Sequence, residues 1–121
     1  MALILLVDDD ADLRFIMEHI LIDAGHRVDV APSMSGAIAL LQSQAYDLVI
    51  ADGKLPDGTG FDVADCAGEL STKAVIVTGY AFTLPGDISE RYEILLKPLH
   101  PQEIVAAVER ALGQTPGSEA H

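Results

Sequence analysis

Three consecutive carboxylates, Asp8, Asp9 and Asp10, directly follow a run of five apolar residues at positions 3–7. Such an uninterrupted apolar run is typical of a short strand that is buried on both faces. Like charges a few ångströms apart in a partly dry site repel by roughly a few kcal/mol, so they require a cation or partial protonation. Mg²⁺ prefers oxygen ligands and usually shares them with phosphate. The pattern therefore favours a hard-cation site at Asp8 and Asp9, whereas Asp10 is explained more simply as a helix cap.

Three later apolar runs also end in residues that can take part in chemistry, namely Asp52, Thr78 and Lys97. Because ligands bind at the carboxyl ends of strands in open parallel sheets, we expect these residues to converge with Asp8 and Asp9. Two acids can bind Mg²⁺ while a third attacks phosphorus, and a hydroxyl and an ammonium can stabilise phosphoryl oxygens. Taken singly, Thr78 and Lys97 fit an ordinary strand-end hydroxyl and a surface lysine. Together the residues favour metal-assisted phosphoryl transfer.

Five strands that alternate with helices would position these residues. Strands are predicted at residues 3–7, 27–31, 46–51, 74–77 and 94–96. Helices are predicted at about residues 11–24, after the cap Ser33, at about 61–70, and from Pro101 to the stop at Gly113. This alternation predicts an α/β fold, a doubly wound parallel sheet with right-handed crossovers.

Three details of the predicted elements matter below. The first helix has an apolar stripe that we expect to face the sheet, formed by Leu13, Ile16, Met17, Ile20, Leu21 and Ala24. Residues 53–60 hold three glycines and a proline, which predicts an irregular connection after Asp52. The sequence Leu84-Pro85-Gly86 interrupts any long helix there, so we expect at most a short helix around residues 87–92.

The composition excludes several classes of function. The chain has 121 residues, half of them hydrophobic, and a formal net charge of −12. This predicts one globular domain, at residues 1–113, with a polar flexible tail at 114–121. The acidity argues against direct binding to nucleic acid or to an anionic membrane. The single cysteine, Cys66, cannot form an internal disulfide, and the N-terminal apolar run is too short to be a signal peptide or to cross a bilayer. We therefore expect a cytoplasmic protein.

The segments VDDD, DLVIADGKLPDGTG, VIVTGY and LLKPL together resemble the receiver domain of two-component response regulators. The match runs from Leu3 to about Leu112. It implies a flavodoxin-like sheet of five strands in the order 2-1-3-4-5, with a short or irregular fourth helix. It also implies that Asp52 accepts a phosphoryl group from a sensor histidine kinase or a histidine phosphotransfer protein, as in a phosphorelay.

The same resemblance implies roles for the other site residues. The Mg²⁺ ligands would be the carboxylates of Asp8, Asp9 and Asp52 and the backbone carbonyl of Lys54. Thr78 would turn its hydroxyl toward the phosphoryl group, Lys97 would pair with a phosphoryl oxygen, and a cis bond before Pro98 would aim Lys97 into the site. Such a protein is not an enzyme in the usual sense, because it catalyses only its own phosphorylation and dephosphorylation. It would signal by contact with another protein.

One position departs from the family pattern. Many receivers carry Tyr or Phe three residues before the strand-five lysine, where this chain has Ile94, and the region between Thr78 and Lys97 is short and broken by Pro85. The chain thus resembles a receiver subgroup without the usual aromatic switch. We hypothesise that phosphorylation orders residues 79–93 instead. Unchanged amide exchange across that segment with and without a phosphate mimic would rule this out.

Two other functions compete with this interpretation. A small Mg²⁺-dependent phosphatase would use Asp52 as nucleophile, but it would want an acid two residues later as proton donor, where this chain has Lys54. A flavin- or nucleotide-binding module would want a Gly/Ser/Thr-rich phosphate cradle after the first strand, where this chain has acids. Sustained turnover of a phosphate ester would favour the phosphatase.

Overall fold

The computed structural model describes residues 2–79, 93–97 and 100–113. The strands in this part of the chain are β1 (Leu3–Val7), β2 (Arg27–Ala31), β3 (Leu48–Asp52), β4 (Lys54–Leu55), β5 (Gly58–Thr59), β6 (Lys73–Thr78) and β7 (Glu93–Leu96). Five of them form one parallel sheet in the order β2-β1-β3-β6-β7. When only these five are counted in chain order, the arrangement is 2-1-3-4-5. The predicted doubly wound, flavodoxin-like fold is therefore confirmed.

The helices in the described residues are α1 (Ala11–Asp23), α2 (Met34–Ser43), α3 (Gly60–Glu69) and α4 (Pro101–Ala111). The side chain of Asp10 accepts hydrogen bonds from the backbone N–H groups of Asp12 and Leu13, so the expected cap of α1 is confirmed. Ser33 caps α2 in the same way. Gly25 follows α1 with φ +97°, a left-handed conformation that ends helices and favours glycine.

Apolar side chains cover both faces of the sheet because successive strand residues point to opposite sides. Helices α2 and α3 pack on one face, over Leu5, Val7, Val49, Ala51 and Ile76. Helices α1 and α4 pack on the other, over Ile4, Leu6, Leu48, Ile50, Val75 and Val77. Each fully buried Leu, Ile or Val contributes about 1.5–3 kcal/mol, so these two layers hold the strand ends in fixed register.

The predicted inner stripe of α1 is too wide. Met17 and Leu21 are fully buried, but Ile16 is 54% exposed and Ala24 is also exposed. Ile16 lies about 100° around the helix from Met17, outside the buried face of α1. Ala24 follows the last residue of α1, so the helical repeat no longer determines which way its side chain points.

The connection after Asp52 also differs from the prediction, since it contains a short antiparallel hairpin. Its strands β4 and β5 pair Lys54 with Thr59 and Leu55 with Gly58. β3 begins at Leu48 and includes Asp52, so the predicted start at residue 46 was two residues early.

Several predictions concern residues outside the described part of the chain: the short helix around residues 87–92, the ordering of the segment after Gly79, the cis bond before Pro98 and the flexible tail at 114–121. Among the described helices, none is both long and apolar enough to cross a membrane.

Candidate functional site

The carboxyl ends of neighbouring strands bring the predicted acids together. Val7 pairs with Ala51 in the sheet register, so the residues that follow them, Asp8 and Asp52, lie side by side. One carboxylate oxygen from each of Asp8, Asp9 and Asp52 lies within 4.8 Å of the other two. Residues 44 positions apart in the sequence therefore form one acidic cluster, as the strand-end pattern predicted.

Thr78, the last residue of β6, and Lys97, which follows β7, reach the same edge. Lys97 Nζ lies 3.3 Å from Asp52 Oδ2, and the side chain of Lys97 is about one-third exposed. The backbone N–H of Lys97 donates to the carbonyl oxygen of Thr78 at 3.1 Å, which ties the two residues together. Thr78 is only 4% exposed, and it directly follows Val77, the register partner of Asp52.

The acids of the cluster differ in burial. Asp8 is 2% exposed and Asp52 is 9% exposed, whereas Asp9 is open to solvent. Burial raises the pKa of Asp8 above its ordinary value of 3.8. The backbone N–H of Asp10 donates to Asp8 Oδ1 at 2.8 Å and opposes that shift, while the charge of Asp52 adds to it. The edge thus holds crowded carboxylates at least one of which resists ionisation when no cation is bound.

A guanidinium fixes the turn that carries Asp8 and Asp9. Arg14 Nη1, from the first turns of α1, donates to the backbone carbonyl oxygen of Asp8 at 2.7 Å. Together with the Asp10 cap, this bond holds the turn between β1 and α1. The sequence analysis did not identify Arg14. The only feature of the sequence that could have indicated it is a basic residue near the start of the helix that follows the acids.

Two glycines allow the chain to pass close to the site. A Cβ at Gly53 would lie 2.9 Å from the Cβ of Thr78, and one at Gly60 would overlap the carbonyl oxygen of Asp52. The N–H of Gly53 also donates to the carbonyl oxygen of Val77 at 2.8 Å. These close contacts require residues without a side chain, so Gly53 and Gly60 allow close packing around Asp52.

A cleft of about 600 Å³ opens over the cluster, lined by Asp9, Asp52, Lys54, Leu55, Pro56, Gly79 and Lys97. Lys54 lies in β4, and its backbone N–H is 3.5 Å from Asp52 Oδ1. The residue is exposed at the rim of the cleft, and the role of its carbonyl as a cation ligand stays a prediction. The cleft has room for a phosphoryl group and a cation beside Asp52.

Comparison with known proteins gives a consistent result. The family model of the response regulator receiver domain matches residues 4–109. An uncharacterized 14.6 kDa protein of Leptolyngbya boryana is 32% identical over 88% of this chain and 87% of its own length. The response regulator receiver protein CpdR of Brucella abortus is 29% identical over 90% of this chain and 95% of its own length.

A solved structure of a response regulator protein has the same fold. The response regulator protein TrrA of Thermotoga maritima, in complex with Mg²⁺-BeF, superposes with a TM-score of 0.83 at 28% identity. The match covers 93% of this chain and all of TrrA.

Proposed function

The chain belongs to the response regulator receiver domain family of two-component signalling, and from this premise we propose that Asp52 is its phosphoacceptor in a Mg²⁺-dependent reaction. The phosphoryl donor would be a histidine of a sensor kinase or of a phosphotransfer protein. The observation that carries this proposal is the position of Asp52, whose carboxylate lies 3.3 Å from Lys97 Nζ and within 4.8 Å of the carboxylates of Asp8 and Asp9. The proposed nucleophile thus lies beside the Lys97 ammonium and beside two acids that could bind a metal ion.

Asp52 supplies the attacking oxygen. Its carboxylate attacks the phosphorus of a phosphohistidine, so that a P–O bond forms while the P–N bond breaks and the imidazole leaves. The Lys97 ammonium and the Thr78 hydroxyl hold the phosphoryl oxygens and stabilise the charge on them. Water later attacks the phosphorus of the aspartyl phosphate, which releases inorganic phosphate and restores the carboxylate. The chain would thus catalyse only its own phosphorylation and dephosphorylation.

The donors at this edge fit Mg²⁺ because all of them are oxygens. The carboxylates of Asp8, Asp9 and Asp52 and the backbone carbonyl of Lys54 would hold the ion. When bound, it supplies positive charge that offsets the repulsion between carboxylates and phosphoryl oxygens. The Mg²⁺-BeF complex of TrrA, a protein of the same fold, supports this assignment.

The unit that acts would be residues 1–113, with the last eight residues outside it, and its output would be contact with another protein in the cytoplasm. The net charge of −12 supports a protein partner over nucleic acid or an anionic membrane.

Phosphorylation with a small donor tests the proposal. Incubation with Mg²⁺ and acetyl phosphate should yield a single phosphoryl adduct that is stable in acid and labile in base, detected by intact-protein mass spectrometry. The substitution Asp52→Ala should abolish the adduct completely because it removes the attacking oxygen. Asp47→Ala, which removes an exposed acid before β3, serves as the matched control and should leave the adduct unchanged.

An adduct that persists in Asp52→Ala would overturn the assignment of the phosphoacceptor. Sustained hydrolysis of a generic phosphate ester would instead support the phosphatase.

A further inference from the structure

A contact outside the acidic cluster connects the site to helix α2. Asp57 lies in the turn between β4 and β5, and its carboxylate reaches across to the start of α2. Asp57 Oδ1 accepts a hydrogen bond from the backbone N–H of Met34 at 2.8 Å, and Oδ2 accepts one from Ser35 at 2.9 Å. These N–H groups belong to the first two residues of the helix. One carboxylate therefore joins the loop after the proposed phosphoacceptor to a helix that begins 23 residues earlier.

Helix α2 does not depend on this contact for its own cap. Its cap residue is Ser33, whose hydroxyl accepts a hydrogen bond from the N–H of Gly36 at 3.1 Å. Met34, Ser35 and Asp57 are near the surface, where water can also satisfy helix N–H groups. The two hydrogen bonds that Asp57 accepts therefore add more to the position of the loop than to the formation of the helix.

Packing joins the same two elements at a second point. A Cβ at Gly58 would overlap the thioether sulfur of Met34, so the hairpin lies directly against the first residue of α2. The other end of the connection packs on β3, where Gly60 touches the carbonyl of Asp52. Thr59 lies between these two glycines and pairs with Lys54, which lies in β4 at the rim of the cleft.

We propose that Asp57 is a positioning residue, which holds the β4–β5 hairpin against α2 so that the backbone carbonyl of Lys54 is in place for the cation. This inference rests on the proposed function, because it requires Mg²⁺ at Asp8, Asp9 and Asp52. A hairpin with two-residue strands is marginally stable alone, so its geometry depends on such external contacts. Outer contacts that orient metal ligands commonly change metal affinity by about 10–100-fold, and a single carbonyl ligand places this case near the lower end.

Calorimetric titration of the full chain with Mg²⁺ alone tests the proposal. Asp57→Ala should weaken Mg²⁺ binding about tenfold, because the hairpin must be ordered when the ion binds. Asp57→Asn keeps one acceptor oxygen and should give a smaller loss. Ser33→Ala is the matched control, since it removes a cap from the same helix without touching the hairpin. It should bind Mg²⁺ as the wild type does.

Urea unfolding without Mg²⁺ separates position from stability. Both Asp57→Ala and Ser33→Ala should lower the unfolding midpoint, whereas only the first should change Mg²⁺ affinity. Wild-type affinity in Asp57→Ala, or equal losses of affinity in Asp57→Ala and Ser33→Ala, would overturn the positioning role. If Asp57→Ala does not fold, the comparison of Asp57→Asn with Ser33→Ala decides in the same way. Absence of Mg²⁺ binding in the wild type, with no difference from Asp9→Asn, would reject the proposed function itself.

Discussion

The two edges of the central sheet use the same kinds of side chain in opposite ways. At the amino edge, Asp47 Oδ2 accepts a hydrogen bond from the N–H of Leu3 at 2.8 Å, and His26 Nδ1 accepts one from the N–H of Ala2 at 3.1 Å. These side chains satisfy backbone groups where strands begin. At the carboxyl edge, the side chains of Asp8, Asp9 and Asp52 face one another.

The difference shows how an aspartate can either stabilise the fold or form a site. An acid that accepts a hydrogen bond from an N–H group stabilises the fold modestly in any buffer. Burial raises the pKa of Asp8, and repulsion from the charge of Asp52 adds to that shift. Positive charge lowers this cost: Lys97 Nζ lies 3.3 Å from Asp52 Oδ2, and a bound Mg²⁺ would lower it further. We therefore expect the carboxyl edge to cost stability in the free protein and to regain it when a cation binds.

The largest effect should be the rise in Tm that Mg²⁺ causes, together with the loss of that rise in Asp9→Asn. An ion that binds only the native state at about 100 times its Kd stabilises by about 2.7 kcal/mol, which raises the Tm by about 10 °C in a domain of this size. Asp9→Asn should remove most of this shift because it deletes a charged ligand. Thermal unfolding followed by circular dichroism, with Mg²⁺ or with EDTA, measures both values.

The amino edge supplies the control for this experiment. Asp47→Ala should keep the full Mg²⁺ shift, since the Asp47 carboxylate already bonds the N–H of Leu3. Equal loss of the shift in both variants would show that general surface charge, and not the cluster, attracts the ion.

A smaller effect is expected from Asp8→Asn in metal-free buffer. The folded protein holds the Asp8 proton more tightly than the unfolded chain, so stability falls as pH rises from 3.8 through the raised folded pKa. At neutral pH the ionised, buried Asp8 destabilises the fold, and Asp8→Asn should therefore raise the unfolding midpoint in urea. The gain should vanish below pH 3.8, where both states carry the proton. A gain that is the same at all pH values would contradict an electrostatic origin.

The smallest effect should come from Tyr46→Phe, away from the acidic cluster. The Tyr46 hydroxyl donates to Asp29 Oδ2 at 2.8 Å, and loss of this bond should lower stability by about 1 kcal/mol at neutral pH. Burial, together with the bond to Asp29, raises the pKa of Tyr46 to about 12. Because the unfolded chain ionises first, the wild type should lose its advantage over Tyr46→Phe as pH rises from 10.0 through about 12.

Urea unfolding across this range measures that advantage. The Mg²⁺ shift of Tyr46→Phe should equal that of the wild type; a reduced shift would mean that the two edges are coupled.

Much of the fold and of the candidate site could be predicted because the relevant signals are local. The apolar run before Asp8 marks a doubly buried strand by itself, and chain direction places the residue that follows at the carboxyl edge. The convergence of Asp8, Asp52 and Lys97 then follows from parallel topology. By contrast, the stripe that included Ile16 was wrong because periodicity shows which residues are apolar, and not how much of the helix the sheet covers.

Sequence alone determined the strand ends, the acidic cluster and the family to which the chain belongs, since these depend on residue order and on a topology that the order imposes. Only the tertiary structure decided how the cluster is held. Arg14 donates to the Asp8 carbonyl, and the first N–H groups of α2 donate to Asp57. These bonds, like the contact of Gly58 with Met34, join groups that no local pattern pairs. Such contacts depend on the distances between packed elements, and those distances exist only after the whole chain has folded.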